Sequence, residues 1–228
     1  CPYPHTVNDV ALAWIRSRDR VISMVQSAEP LTLNELTPLC PEWRIRDVVG
    51  HLVGISHDIA AGNFPGDLDE WAAAQVERNY DADLATLLEE WPTYELERFI
   101  TPELAIVLYD QTTHECDIAH ALGRTVGLDD ETLSLLTDFT LGRFAVKDHD
   151  LTVTLDLDGD IRTRGSGSRE LHLTTDHFTW FRASTGRRSR HQIDDLSWRG
   201  DRSAIDILFT GIFRPATFDV VERRQIID

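Results

Sequence analysis

Cysteine, methionine and positive charge are all scarce in this 228-residue chain, which has three Cys, one Met and 22 Lys plus Arg against 39 Asp plus Glu. Cys1, Cys40 and Cys116 form no CxxC pair and are too few for a disulfide framework. That excludes the small disulfide-stapled secreted class and points to a reducing, cytoplasmic setting. The basic deficit leaves a formal net charge of −17, so a non-specific grip on phosphate backbones or anionic lipid is excluded, and with it nucleic acid as a partner. No run approaches the ~18 consecutive apolar residues of a membrane span, and the start lacks the basic-then-apolar order of a signal peptide. Cys1 stands where Met would begin a chain, and no role is assigned to it.

What is present is ordinary for a globular protein. With 42% hydrophobic and 27% charged residues, the chain suits one large domain or two modest ones. The acidic residues are spread along it and read as solvated surface.

From Val7 to about Lys147 the apolar residues recur at helical spacing. Val10, Trp14, Val21 and Val25 mark a first helix with Asn8–Asp9 as its cap, and a second spans about Ile45 to Ala61. Interrupted pieces run from Leu68 to Ile100, a fourth element opens at Pro102 and closes before Gly123, and a fifth covers Asp129 to Val146. After Asp150 the period changes to two. Leu151–Leu157 and Glu170–Thr174 read as strands, with a turn at Asp158–Gly159–Asp160 and a loop at Gly165–Ser168. Asp176–Ser184 reads as a capped helix, Ile193–Trp198 as a strand and Ser203–Ile212 as a helix. The expected organisation is a helical domain over 1–148 and a small α+β domain over 149–228, docked on the first because it is too small for a large core. Trp180 and Phe181 are expected to seal that junction.

Two segments hold the informative side chains. His51 sits among Val48, Leu52 and Ile55, while Asp110 and His114, four residues apart, share one helix face. Two side chains from one helix and an imidazole from its neighbour can make three ligands of a tetrahedral metal, with the last position open to water or substrate. The same pattern also arises from a hydrogen-bonded core histidine and a chance Asp-x-x-x-His pair. A ligating histidine has its second ring N–H held by a carboxylate or carbonyl, and Asp117 and Asp47 are the candidates for that role. His57, His120 and Glu115 read as surface groups, Trp43 as a packing anchor, and Cys40 and Cys116 as small packing residues.

The stretch Cys40-Pro-Glu-Trp-Arg-Ile-Arg-Asp-Val-Val-Gly-His51-Leu-Val-Gly54 resembles a signature of the mycothiol-dependent maleylpyruvate isomerase family. Asp110-Gln-Thr-Thr-His114-Glu-Cys-Asp117-Ile-Ala-His-Ala-Leu-Gly123 is similar to that family's acidic-x-x-x-His-x-x-Asp-Ile block, although several relatives carry Glu where this chain has Asp110. Ala183–Ser189 and Leu196–Asp201 are similar to the sterol-carrier-like domain that follows the bundle in many members.

The resemblance implies a DinB-like four-helix bundle followed by a small α+β sterol-carrier-like domain, with metal ligands at His51, Asp110 and His114. It implies a divalent metal, Zn²⁺ by preference, and mycothiol, the actinobacterial thiol, as co-substrate. The metal would make the thiol a thiolate nucleophile towards a small electrophile. Arg187 and Arg188 after Gly186 form a guanidinium fork able to hold a substrate carboxylate, as a C-terminal arginine does in the family. Two other functions share the scaffold: a metal-assisted hydrolase with water as fourth ligand, and a non-catalytic binding or regulatory module. Monomer and homodimer both fit.

Overall fold

A computed structural model describes residues 7–63, 66–100, 104–144, 146–211 and 214–222. Cys1 and Pro102 lie outside the described residues. The chain divides into two compact units, one running to Gly127 and one from Leu128 to Glu222.

The first unit is built on α1 (Val7–Gln26), α2 (Ile45–Ala60), α3 (Leu68–Asn79), the short α4 (Leu84–Glu90) and α5 (Ala105–Ala121). α1 begins at Val7, so the Asn8–Asp9 pair falls in its first turn and does not cap it. Its Val10, Ala13, Trp14, Ser17, Val21 and Val25 are buried at helical spacing and form one stripe. α2 is covered nearly all round, the position of a central helix. Asp67 and Asp83 cap α3 and α4 by accepting from backbone N–H groups of the first turn. A two-stranded hairpin, β1 (Leu36–Thr37) with β2 (Cys40–Arg44), precedes α2. Sequence periodicity does not show this hairpin. Pro38 and Pro41, which disfavour helix there, were the available signal.

The second unit opens with α6 (Asp130–Arg143), whose cap is Asp129. It continues into β3 (Leu151–Leu157), β4 (Asp160–Gly165), β5 (Arg169–Thr175), α7 (His177–Ser184), α8 (Arg190–Asp194), β6 (Ser197–Gly200) and α9 (Ile205–Leu208). The sheet order is β4-β3-β5-β6, with β3 and β5 parallel and the other pairs antiparallel. Leu151, Val153, Leu155 and Leu157 alternate inward as the period of two requires, and Leu171 and Leu173 join them.

This division corrects the expected boundary at residue 148. α6 packs with α7 and supplies Thr140 Oγ1 as acceptor for the buried Trp180 indole N–H at 3.2 Å. Trp180 also meets Phe144 and Phe209 edge to face, so it anchors the second unit's own core. Three further readings change. β4 is a strand in the stretch between the expected turn and loop, which the sequence reading left unassigned. The expected strand 193–198 resolves into α8, capped by Ser189, and the later β6. The last helix stops at Leu208. No helix among the described residues is long and apolar enough to cross a membrane.

Candidate metal centre

α5 is the unusual helix of the first unit, because it buries Gln111, Thr112, Thr113, His114, Glu115 and Asp117. Buried polar groups are costly unless satisfied, so each needs an account. Gln111 donates to the Trp14 carbonyl at 2.8 Å, and Thr113 to the Tyr109 carbonyl at 2.7 Å. Glu115, expected at the surface, is fully buried between α1 and α5. It accepts from Ser17 Oγ at 2.7 Å and from the Arg20 guanidinium at 2.5 and 2.9 Å. Gln111 and Glu115 tie α5 to α1, while the Thr113 bond stays within α5. His114 and Asp117 face a different point.

His51, in the second turn of α2, and Asp110 and His114, one turn apart on α5, each bring one ligand atom to within 4.8 Å of the others. His51 Nε2 lies 3.2 Å from Asp110 Oδ2, and His114 Nε2 lies 3.7 Å from Asp110 Oδ1. The two rings are close to perpendicular, with centroids 5.2 Å apart. Both imidazoles are buried, while the Asp110 side chain is 33% exposed. Solvent therefore reaches the cluster from the carboxylate's side.

Each ring is held from behind. Gln75 Oε1 stands 2.8 Å from His51 Nδ1, and Asp117 Oδ2 stands 3.2 Å from His114 Nδ1. A neutral imidazole carries one N–H, which on each ring can face the outer acceptor or Asp110 according to the tautomer. With the ring protons on the outer nitrogens, both Nε2 atoms and an Asp110 oxygen would turn towards one point, an arrangement that a cation can bridge. Two nitrogens and one carboxylate oxygen form the donor set of a catalytic zinc site, so the residues fit a divalent metal.

The hairpin adds two side chains that sequence reading placed elsewhere. The Trp43 ring stands 5.1 Å from that of His51 and 6.0 Å from that of His114, forming a wall over both. Cys40 Sγ is 3.5 Å from Asp117 Oδ2 and 3.9 Å from His114 Nδ1. Cys40, His114 and Asp117 also form a possible donor group, but on the opposite edge of the His114 ring from Asp110.

Asp47, a candidate partner of a ligand ring, has another task. It accepts from the Arg44 backbone N–H at 2.8 Å and from its guanidinium at 2.8 and 2.7 Å, closing the N-terminus of α2. Gln75 on α3 supports His51 in its place. Nothing in the sequence around His51 announces it, because the contact exists only once α3 docks on α2.

Arg187 and Arg188 belong to the second unit. Arg187 Nη1 donates to the Thr185 carbonyl at 2.7 Å. Arg188 Nη1 donates at 2.6 Å to Glu222, which also accepts from the fully buried Arg182 at 2.7 and 2.8 Å. Burial pushes the Glu222 carboxyl up, but the two guanidinium groups outweigh it and hold it below the usual value.

Comparison with known proteins shows what the chain is similar to. Residues 14–100 match the family profile described as the mycothiol maleylpyruvate isomerase N-terminal domain. No curated protein sequence matches significantly. Among solved structures, a mycothiol-dependent maleylpyruvate isomerase aligns with a TM-score of 0.54 at 15% identity, covering 85% of this chain and 93% of that one. A histidine-to-alanine mutant of a mycothiol-dependent maleylpyruvate isomerase aligns with the same TM-score and coverage at 10% identity. Residues 14–100 are thus similar to the mycothiol maleylpyruvate isomerase N-terminal domain, and the chain shares with these solved structures the fold of a helical domain followed by a small α+β domain.

Proposed function

We propose that the chain is a metal-dependent enzyme that uses mycothiol, as an isomerase or S-transferase, on a small electrophilic substrate. The observation that carries this reading is the convergence of one possible ligand atom each from His51, Asp110 and His114 within 4.8 Å of one another. A bound divalent ion, Zn²⁺ by its nitrogen and oxygen donors, supplies the acidity that makes a coordinating thiol a thiolate at neutral pH.

The chain's own residues do the rest. His51 and His114 bind through Nε2, with Gln75 and Asp117 fixing their ring orientations. Asp110 completes the ligand set from the exposed side, the direction from which a thiol can enter. Trp43 covers both imidazoles and keeps water from their faces. Asp110 is one methylene shorter than glutamate, and the 3.2 Å approach to His51 Nε2 supports its reach across to α2. Arg187 and Arg188 are proposed to hold a substrate carboxylate, with Arg188 already bonded to Glu222.

The test combines elemental analysis with turnover. The purified protein should hold one divalent ion per chain and turn over maleylpyruvate only when mycothiol is added. Arg187→Lys should raise KM more than it lowers kcat, since it keeps charge but loses the planar fork. Turnover that is metal-dependent but independent of any thiol would assign the site to a hydrolase; full activity after chelation would remove the metal from the reaction.

A further inference from the structure

Behind His51 lies a second buried charge that the reading above does not use. Asp58, one helical stretch further along α2, is fully buried. Its Oδ2 accepts from Trp71 Nε1 at 2.7 Å, from Gln75 Nε2 at 3.1 Å and from Arg78 Nη2 at 3.2 Å. Its Oδ1 accepts from Arg78 Nη1 at 2.8 Å, with His57 Nδ1 at 3.2 Å. Burial pushes this carboxyl up, but the bonds from Arg78, Gln75, Trp71 and His57 outweigh it and lower it to about 2.

An ionised carboxylate only accepts, so the Gln75 atom facing Asp58 must be the amide nitrogen. The other end of that amide, the carbonyl oxygen, then faces His51 Nδ1 at 2.8 Å. A carbonyl oxygen also only accepts, so Nδ1 carries the ring proton and Nε2 keeps its lone pair. That lone pair points at Asp110 and His114. We infer that Asp58, acting through Gln75, is a positioning residue that selects the metal-binding tautomer of His51 without touching its ring.

The spacing of α2 and α3 serves this relay. A Cβ added at Gly54 would fall 2.7 Å from Gln75 Cβ, and one at Gly50 would meet Asn79 Cβ at 3.0 Å. Only bare backbone on both sides of His51 lets α3 come near enough for a glutamine to reach its ring. His114 has a simpler arrangement, because its carboxylate, Asp117, touches the ring directly.

The inference rests on the proposed metal site, but its first readout needs no metal. Nitrogen-15 NMR of histidine-labelled, metal-free protein should show His51 as the Nδ1–H tautomer. Asp58→Asn frees the Gln75 amide to turn over, and Gln75→Leu removes the acceptor, so both should lose that signature. In competition with a chelator, both should bind Zn²⁺ about 10–100-fold more weakly. Trp71→Phe removes a donor to Asp58 without breaking the relay. It should therefore leave tautomer and affinity as in the parent, which a merely structural role for Asp58 would not predict. An Nε2–H tautomer in the parent, or unchanged zinc affinity in folded Asp58→Asn and Gln75→Leu, would overturn the relay. A parent protein that takes up no zinc would sink the proposed function, while the tautomer reading would still decide the relay.

Discussion

Each unit of this protein buries a cluster of charge, and the two are built on opposite plans. In the second unit Glu222 lies between Arg182 and Arg188, so a buried carboxylate meets opposite charge on both sides. In the first, His51, His114 and Asp110 bring three possible ligand atoms together, with Gln75 and Asp117 against the outer ring nitrogens. A carboxylate set between guanidinium groups contributes to holding the fold; a convergence of possible ligand atoms is a place for a cation. Burial alone does not separate the two. The kind of atom each brings to the centre does.

Four changes break or sharpen that contrast. The largest effect should come from His51→Ala or His114→Ala, each of which should take bound metal from one per chain to background in elemental analysis. Next, Glu222→Gln should leave metal content intact and destabilise the protein by about 3–5 kcal/mol in urea unfolding, because the buried Arg182 loses the Glu222 carboxylate. Third is acid. The Asp58 carboxyl is lowered from 3.8 to about 2 in the folded state, so its contribution, about 2 kcal/mol, is fully present above pH 4 and is lost as pH falls towards 2. Asp58→Asn should flatten that part of the stability profile, measured by thermal unfolding across pH. The smallest is also the most telling. Asp110→Asn gives the cluster an N–H donor, so metal-free protein should become more stable by about 1 kcal/mol while losing its zinc-induced rise in melting temperature. A loss of stability instead would mean that the three groups already hydrogen-bond well on their own.

The sequence made some of this legible, for reasons that can be named. Asp110, His114 and Asp117 fall on one helix face, so their spacing alone brought them together, and the signature around His51 pointed to the third member of the cluster. Gln75 was hidden because its contact depends on how closely two helices dock, which no local pattern encodes. Asp47 was misread because an acidic residue three positions after a helix boundary has a competing use as a cap, and here Arg44 takes it. α6 was recognised as a helix but assigned to the wrong unit, since a period of 3.6 says which face is buried and not against what. β4 escaped notice because Asp160-Ile-Arg-Thr-Arg-Gly165 is a largely exposed edge strand with no apolar alternation to mark it.

The bare backbone at Gly50 and Gly54 carries an evolutionary corollary. Any descendant that acquires a methyl group at position 54 must shrink or shift the residue at 75, and the same bargain binds 50 to 79. Those positions should therefore exchange in pairs as lineages diverge, leaving a trace of interhelical distance in amino-acid statistics. A lineage that breaks the pairing at 54 and 75 would be the first place to look for a descendant that has given up its ion.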